Sequence, residues 1–107
     1  MSLQKASAAL QEYMDSFMRT VEAHAEELPE AVVGAADGVM GSAMRLKRDL
    51  AGGADREVVH ATLGTLQTFS DTVFRACQAI ADKTLADRIR MGIAPLDGAA
   101  AKIRRAL

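Results

Sequence analysis

Residues 56–80 read REVVHATLGTLQTFSDTVFRACQAI and carry the strongest structural pattern in the chain. Apolar side chains recur there at steps of three or four residues, which places them on one face of a helix. Asp55, just before this stretch, is a residue type that often caps a helix N-terminus. The pattern predicts a long amphipathic helix whose apolar face consists of Val59, Leu63, Leu66, Phe69, Val73, Cys77 and Ile80.

Two further helices are predicted upstream. Residues 3–28 have the same apolar spacing, and Pro29 should end that helix and begin the next, because proline lacks a backbone N–H and fits a first helical turn. The second helix should run from about Glu30 to Leu50 and end at Gly52-Gly53. Its apolar face consists of Val32, Ala36, Val39, Ala43, Leu46 and Leu50.

The pattern after Ile80 fits two interpretations. Thr84 followed by Asp87 resembles a capping signal, whereas the apolar residues after it could extend the same helix. We expect the third helix to extend, straight or kinked, to about Met91. Gly92 and Pro95 should then interrupt the chain, leaving a short amphipathic helix over residues 96–107.

These elements define an all-α fold without strand-like alternation. Short connections between helices favour antiparallel neighbours. We therefore expect residues 1–107 to form a single antiparallel helical bundle with three long helices and a short C-terminal helix. Aromatic residues make up only 4% of the chain, and long helices with so little aromatic filling favour a homodimer.

Composition narrows the classes of function. The single cysteine, Cys77, cannot form an internal disulfide, so we expect a cytoplasmic protein. The apolar runs are far shorter than the roughly 20 residues needed to cross a bilayer, so no membrane span is expected. The net charge is −1, with two bases against seven acids in residues 1–37 and eleven bases against seven acids in residues 38–107. Nucleic-acid binding normally requires a strongly basic domain, so it is not expected.

Three glycines in the second helix raise a separate question. Gly34, Gly38 and Gly41 project away from the apolar face, in line with Arg45, although each interior glycine costs about 0.8–1 kcal/mol relative to alanine. Another helix, internal or from a partner, could pack closely here, residues 34–41 could form an irregular turn, or the glycines could have no particular role. At an interface between copies, Arg45 and Arg48 would meet the acidic segment 22–30, EAHAEELPE.

His60 is the main candidate for chemistry. The segment 57–67, EVVHATLGTLQ, places His60 on a polar helix edge with Gly64 one turn later, which leaves room for a phosphoryl group. It resembles the phosphoacceptor helix of histidine phosphotransfer domains or of histidine-kinase dimerisation domains. That resemblance implies a phosphorylated histidine at His60, although Leu63 stands where phosphotransfer domains usually carry a lysine. The other interpretation is an ordinary surface histidine.

Glu57 and His60 also have the Glu-x-x-His spacing of di-iron bundles, but no second such pair occurs, so no metal or other cofactor is expected. His24 should be a partly buried histidine with a hydrogen-bond partner, and Cys77 a small core residue. The methionines, Met44 among them, could form an adaptable binding groove but should mainly fill the core. The sequence therefore predicts a non-enzymatic protein interaction module (adaptor, regulator or assembly factor) with a protein partner, and histidine phosphotransfer or metal binding as alternatives.

Overall fold

A computed structural model describes residues 3–107, which form four α-helices and no strand. Helix α1 spans Leu3–Ala23, α2 spans Glu30–Ala51, α3 spans Arg56–Ala76 and α4 spans Lys83–Ala106, with a short 3₁₀ turn at Cys77–Ala79. The prediction of an all-α fold is confirmed. Within residues 3–107, no helix has both the length and the hydropathy that crossing a bilayer requires.

The first two helices meet close to the predicted place. Helix α1 ends at Ala23, five residues before the predicted end at Leu28, and a turn covers residues 24–27. Pro29 precedes the first residue of α2 with φ −59° and ψ 148°, so its fixed φ suits the start of a helix. The side chain of Leu28 is buried, which anchors the connection to the core.

The predicted extension of the third helix to Met91 is wrong. Helix α3 ends at Ala76, and the chain reverses between Cys77 and Asp82. Asp82 is the N-cap of α4, because its side-chain carboxylate accepts hydrogen bonds from the backbone N–H groups of Thr84 at 3.0 Å and Leu85 at 3.3 Å. Ile80 remains buried in the connection, which explains why it continues the apolar pattern without being helical.

The predicted interruption at Gly92 and Pro95 is also wrong. Helix α4 continues through both residues for 24 residues, so the bundle has four long helices rather than three and a short one. Gly92 faces Phe17 of α1, where an added Cβ would lie 3.1 Å from the ring. Pro95 is exposed and lines a groove between α1 and α4. The glycine allows close helix packing, and the proline is tolerated without ending the helix.

Each helix packs antiparallel to the helices beside it, α1 against α2 and α4, and α3 against α2 and α4. Gly92, in the first half of α4, faces Phe17 in the second half of α1. Gly38, in the first half of α2, likewise faces Phe69 in the second half of α3, as antiparallel packing requires. The molecule measures 42 × 20 × 18 Å. All four helices contribute to the core, whose largest fully buried side chains include Phe17, Leu10, Met14, Leu46, Leu63, Leu66, Ile89, Ile93, Leu96 and Ile103.

Side-chain hydrogen bonds join consecutive helices. Lys47 of α2 donates to Gln11 of α1. Thr62 of α3 donates to Asp49 of α2 at 2.7 Å, and Ser70 of α3 donates to Asp97 of α4 at 2.5 Å. These bonds fix the relative height of the helices and therefore the level at which surface residues lie.

Candidate functional site

The three glycines of α2 lie in one continuous helix, so the irregular turn considered for residues 34–41 does not occur. They have two different environments. Gly38 lies under the ring of Phe69 on α3, and an added Cβ would be only 2.6 Å from Phe69 Cγ. The close contact predicted for this position is therefore internal, between α2 and α3 of the same chain.

Gly34 and Gly41 are exposed, and an added Cβ at either position would meet no atom within 4 Å. Arg45 and Arg48 are exposed as well. Beside them, α2 and α3 enclose an open groove of about 390 Å³, lined by Gly38, Gly41, Ser42, Arg45, Ala61, Thr62, Thr65 and Phe69. The packing of this chain therefore explains Gly38 but leaves Gly34 and Gly41 without a role.

The exposed face of α2 has a regular spacing. Six exposed residues follow one another at alternating steps of four and three, a seam that we call the α2 seam: Glu30, Gly34, Asp37, Gly41, Met44 and Arg48. That spacing keeps side chains in line along a helix pair. The Met44 side chain, predicted to fill the core, is instead 55% exposed on this seam. The seam begins with an acid, ends with a base and has its two smallest residues between them.

His60 is the fifth residue of α3 and is partly exposed. Within residues 3–107 its ring forms no hydrogen bond or ion pair. An added Cβ at Gly64 would meet nothing within 4 Å, so the space one turn away is open. Leu63, at the position of the phosphotransfer lysine, is 1% exposed and packs in the core.

The Glu57–His60 pair is not completed by other ligands. In the described part of the chain, no group of three or more His, Cys, Asp or Glu side chains is placed to hold a metal ion. His24 is partly buried as predicted, and its Nδ1 lies 3.0 Å from Glu27 Oε2. It follows the end of α1 and lies in the turn before α2.

Among residues 3–107, Cys77 and Asp97 are the two groups whose pKa the fold clearly shifts. Burial raises the pKa of the Cys77 thiol, and the nearby Arg90 opposes this only in part. Cys77 is therefore a poor nucleophile, in keeping with its predicted role as a core residue. Burial also raises the pKa of Asp97, the hydrogen bond from Ser70 lowers it, and the negative charge of Asp71 adds to the increase.

Sequence reasoning missed the Ser70–Asp97 pair. Ser70 lies on the core face of α3 and is 0% exposed, so its hydroxyl needs an internal partner. The spacing of Leu63, Leu66, Ser70 and Val73 would have revealed a polar core position. The identity of its partner depends on the packing of α3 against α4, which the sequence does not give.

Comparisons with protein-family models, with curated proteins and with solved structures found no match for this chain. Its function must therefore be inferred from its own surfaces.

Proposed function

We propose that this protein is a non-enzymatic helical interaction module that pairs with a second copy of itself through the α2 seam. The observation that carries the proposal is the self-complementarity of that seam. Adaptor, regulator and assembly factor are all roles that such a module can serve with a further protein partner.

Self-complementarity follows from the positions along α2. Consider two antiparallel α2 helices related by a two-fold axis at the level of Val39, the arrangement in which one surface patch meets its own copy. Glu30 precedes Val39 by nine residues and Arg48 follows it by nine, so each acid of one copy faces a base of the other. Both side chains are exposed, and neither forms an ion pair within residues 3–107.

The uncharged positions match by the same symmetry. Gly34 precedes Val39 by five residues and Met44 follows it by five. The exposed Met44 side chain of one copy can therefore fill the open space above Gly34 of the other, because methionine adapts readily to irregular surfaces. Asp37 and Gly41 are related in the same way, two residues to either side. Two glycines that are unfavourable for an isolated helix thus become contact points for the partner helix.

The dimer should be weak because the seam is small. The 22 residues of α2 make a helix about 33 Å long, and one face about 10 Å wide offers about 330 Å² per copy. A stable interface usually buries about 800 Å² per partner. We therefore expect a dissociation constant in the micromolar range or above, and weaker association at high salt because the end contacts are ionic.

Sedimentation velocity over a wide concentration range tests the proposal. The wild-type chain should move from monomer toward twice its 11.4 kDa mass as its concentration rises. Glu30→Arg and Arg48→Glu should each weaken association at least tenfold, because each places like charges opposite one another in both symmetric contacts. The double variant should restore association, because it exchanges the two charges.

Glu12→Arg and Arg88→Glu are matched controls, since both residues are exposed and lie on other helices. They should leave the dissociation constant unchanged. A strictly monomeric wild-type chain would overturn the proposal. So would a dimer that responds to the controls as strongly as to the seam variants, or one that the double exchange fails to restore.

A second candidate function is histidine phosphotransfer. The favouring observation is that a four-helix bundle carries His60 partly exposed, with open space at Gly64. An imidazole nitrogen of His60 would attack the phosphorus atom of acetyl phosphate, forming a P–N bond as the P–O bond breaks and acetate leaves. Mass spectrometry should then find one acid-labile phosphoryl group, retained in His24→Gln and absent in His60→Gln. An unmodified wild-type chain removes this candidate.

A further inference from the structure

Basic side chains are concentrated at one end of the bundle. At the end where α1 and α3 begin and α2 and α4 finish, residues 3–10, 44–63 and 99–107 carry eight basic and three acidic side chains, a balance of +5. The opposite end, residues 17–36 and 70–90, carries five basic and seven acidic side chains, a balance of −2. We call the first of these the basic end; its bases are Lys5, Arg45, Lys47, Arg48, Arg56, Lys102, Arg104 and Arg105.

Helix stability accounts for only part of this charge. Cations near a helix C-terminus are favourable, which suits Arg48, Arg104 and Arg105. Arg56, however, is the first residue of α3, and Lys5 is the third residue of α1. A cation at a helix N-terminus is repelled by the positive end of the helix dipole, so these two bases lie at electrostatically unfavourable positions.

Four of the bases at this end are available to a ligand. Arg56, Lys102, Arg104 and Arg105 are exposed, and none forms an ion pair or a side-chain hydrogen bond within residues 3–107. Each lies within about 6 Å of the end of its own helix, from a rise of 1.5 Å per residue. All four therefore lie at the same end of the bundle.

Apolar side chains lie at the same end. Leu3, the first residue of α1, is 37% exposed, and Val58, the third residue of α3, is 41% exposed. Beside Leu3, α1 and α2 enclose a groove of about 570 Å³ whose lining includes Leu50 and Ala51. A nucleic-acid duplex presents mainly charged phosphates and polar groove edges, which leucine and valine do not complement. An anionic lipid bilayer matches both features, because its headgroups attract bases and its interface accepts leucine and valine.

We propose that the basic end docks on the surface of an anionic lipid bilayer, with the helix axes steep to the membrane plane and no segment crossing it. Electrostatic attraction supplies most of the binding, and Leu3 and Val58 enter the interface. The α2 seam contains none of the four bases Arg56, Lys102, Arg104 and Arg105. Failure of the dimer would therefore leave the membrane proposal standing, and failure of membrane docking would leave the dimer proposal standing.

Vesicle flotation tests the docking, using the full chain with phosphatidylcholine vesicles that either contain or lack phosphatidylserine. The chain should float with the anionic vesicles at low salt, stay unbound with neutral ones and dissociate as salt screens the charges. Each base near an anionic surface contributes about a fivefold change in affinity. A variant with Arg56, Lys102, Arg104 and Arg105 all changed to Glu should therefore lose binding by more than about 100-fold.

The matched control has Arg19, Arg75, Lys83 and Arg88 changed to Glu, because these exposed bases lie at the opposite end and the change in net charge is identical. It should retain most of the binding. Leu3→Ser with Val58→Ser should weaken binding without altering its salt dependence, and circular dichroism should confirm that each variant is helical. Equal losses in the two four-residue variants, no flotation at low salt, or binding to duplex DNA without binding to vesicles would overturn the proposal.

Discussion

Gly38→Ala should destabilise the fold, although alanine is the better helix former. In the interior of α2 the exchange gains about 0.8–1 kcal/mol of helix propensity. The new methyl group would lie 2.5 Å from Phe69 Cε1 and 2.6 Å from Cγ, so the ring itself must move rather than only its far edge. Overpacking of this kind costs about 1–3 kcal/mol, which leaves a net loss of up to about 2 kcal/mol.

Gly41→Ala isolates the steric contribution. Gly41 lies in the same helix, is exposed and has nothing within 4 Å of an added Cβ, so it should show the propensity gain alone. The difference in unfolding free energy between the two variants should therefore be about 1–3 kcal/mol. For a domain of this size, about 1 kcal/mol corresponds to a change of about 4–8 °C in Tm.

Urea and thermal unfolding, followed by circular dichroism at a low concentration where the chain is monomeric, measure both values. Gly41→Ala should melt above wild type and Gly38→Ala below Gly41→Ala. Equal stabilisation by the two substitutions would show that the Phe69 ring does not hold its place over α2, and would refute the close contact.

Three further predictions concern individual side chains. Pro95→Ala should raise the free energy of unfolding by up to about 3 kcal/mol in urea titrations, because it restores a backbone donor inside α4; a loss would mean that the proline ring contributes packing. Cys77 should react slowly with a thiol reagent in the folded chain and quickly in urea, because burial raises its pKa and blocks access; fast reaction in the folded state would contradict that burial. The pKa of Asp97 in the folded chain is raised above its ordinary 3.8, so the folded chain holds this proton more tightly than the unfolded chain does. The free energy of unfolding should therefore fall as pH rises above 3.8 and Asp97 ionises. Asp97→Asn should reduce this downward slope in urea titrations at a series of pH values, and an unchanged slope would show that Asp97 does not cause it.

The sequence predicts the helices best where one local signal dominates. The apolar faces of α1, α2 and α3 emerge directly from residue spacing, and Pro29 correctly separates the first two helices. The boundary before α4 fails because Ile80 is buried and fits the helical pattern while lying outside the helix. Asp82 is the capping residue, but its role depends on a backbone reversal that spacing alone does not reveal.

Other features require the packed fold. Gly92 resembles a helix end in sequence, but it is a contact point because Phe17 of another helix lies against it. The charge asymmetry between the two parts of the chain appears as a contrast along the sequence, whereas antiparallel packing converts it into a contrast between the ends of the molecule. The three glycines differ for the same reason, since only Gly38 lies under a side chain of α3.

The hydrogen bond from Ser70 to Asp97 also selects among alternative registers. The core is rich in alanine, valine and leucine, and its apolar stripes repeat about every 3.5 residues, so a slide of α4 along α3 by one turn, about 5.4 Å, would again place apolar groups together. That slide would leave the Ser70 hydroxyl, which is 0% exposed, without its acceptor, and an unpaired buried donor costs about 1–3 kcal/mol. A bond that adds little to overall stability therefore helps to select, with the Gly92–Phe17 contact, the packing that the chain adopts.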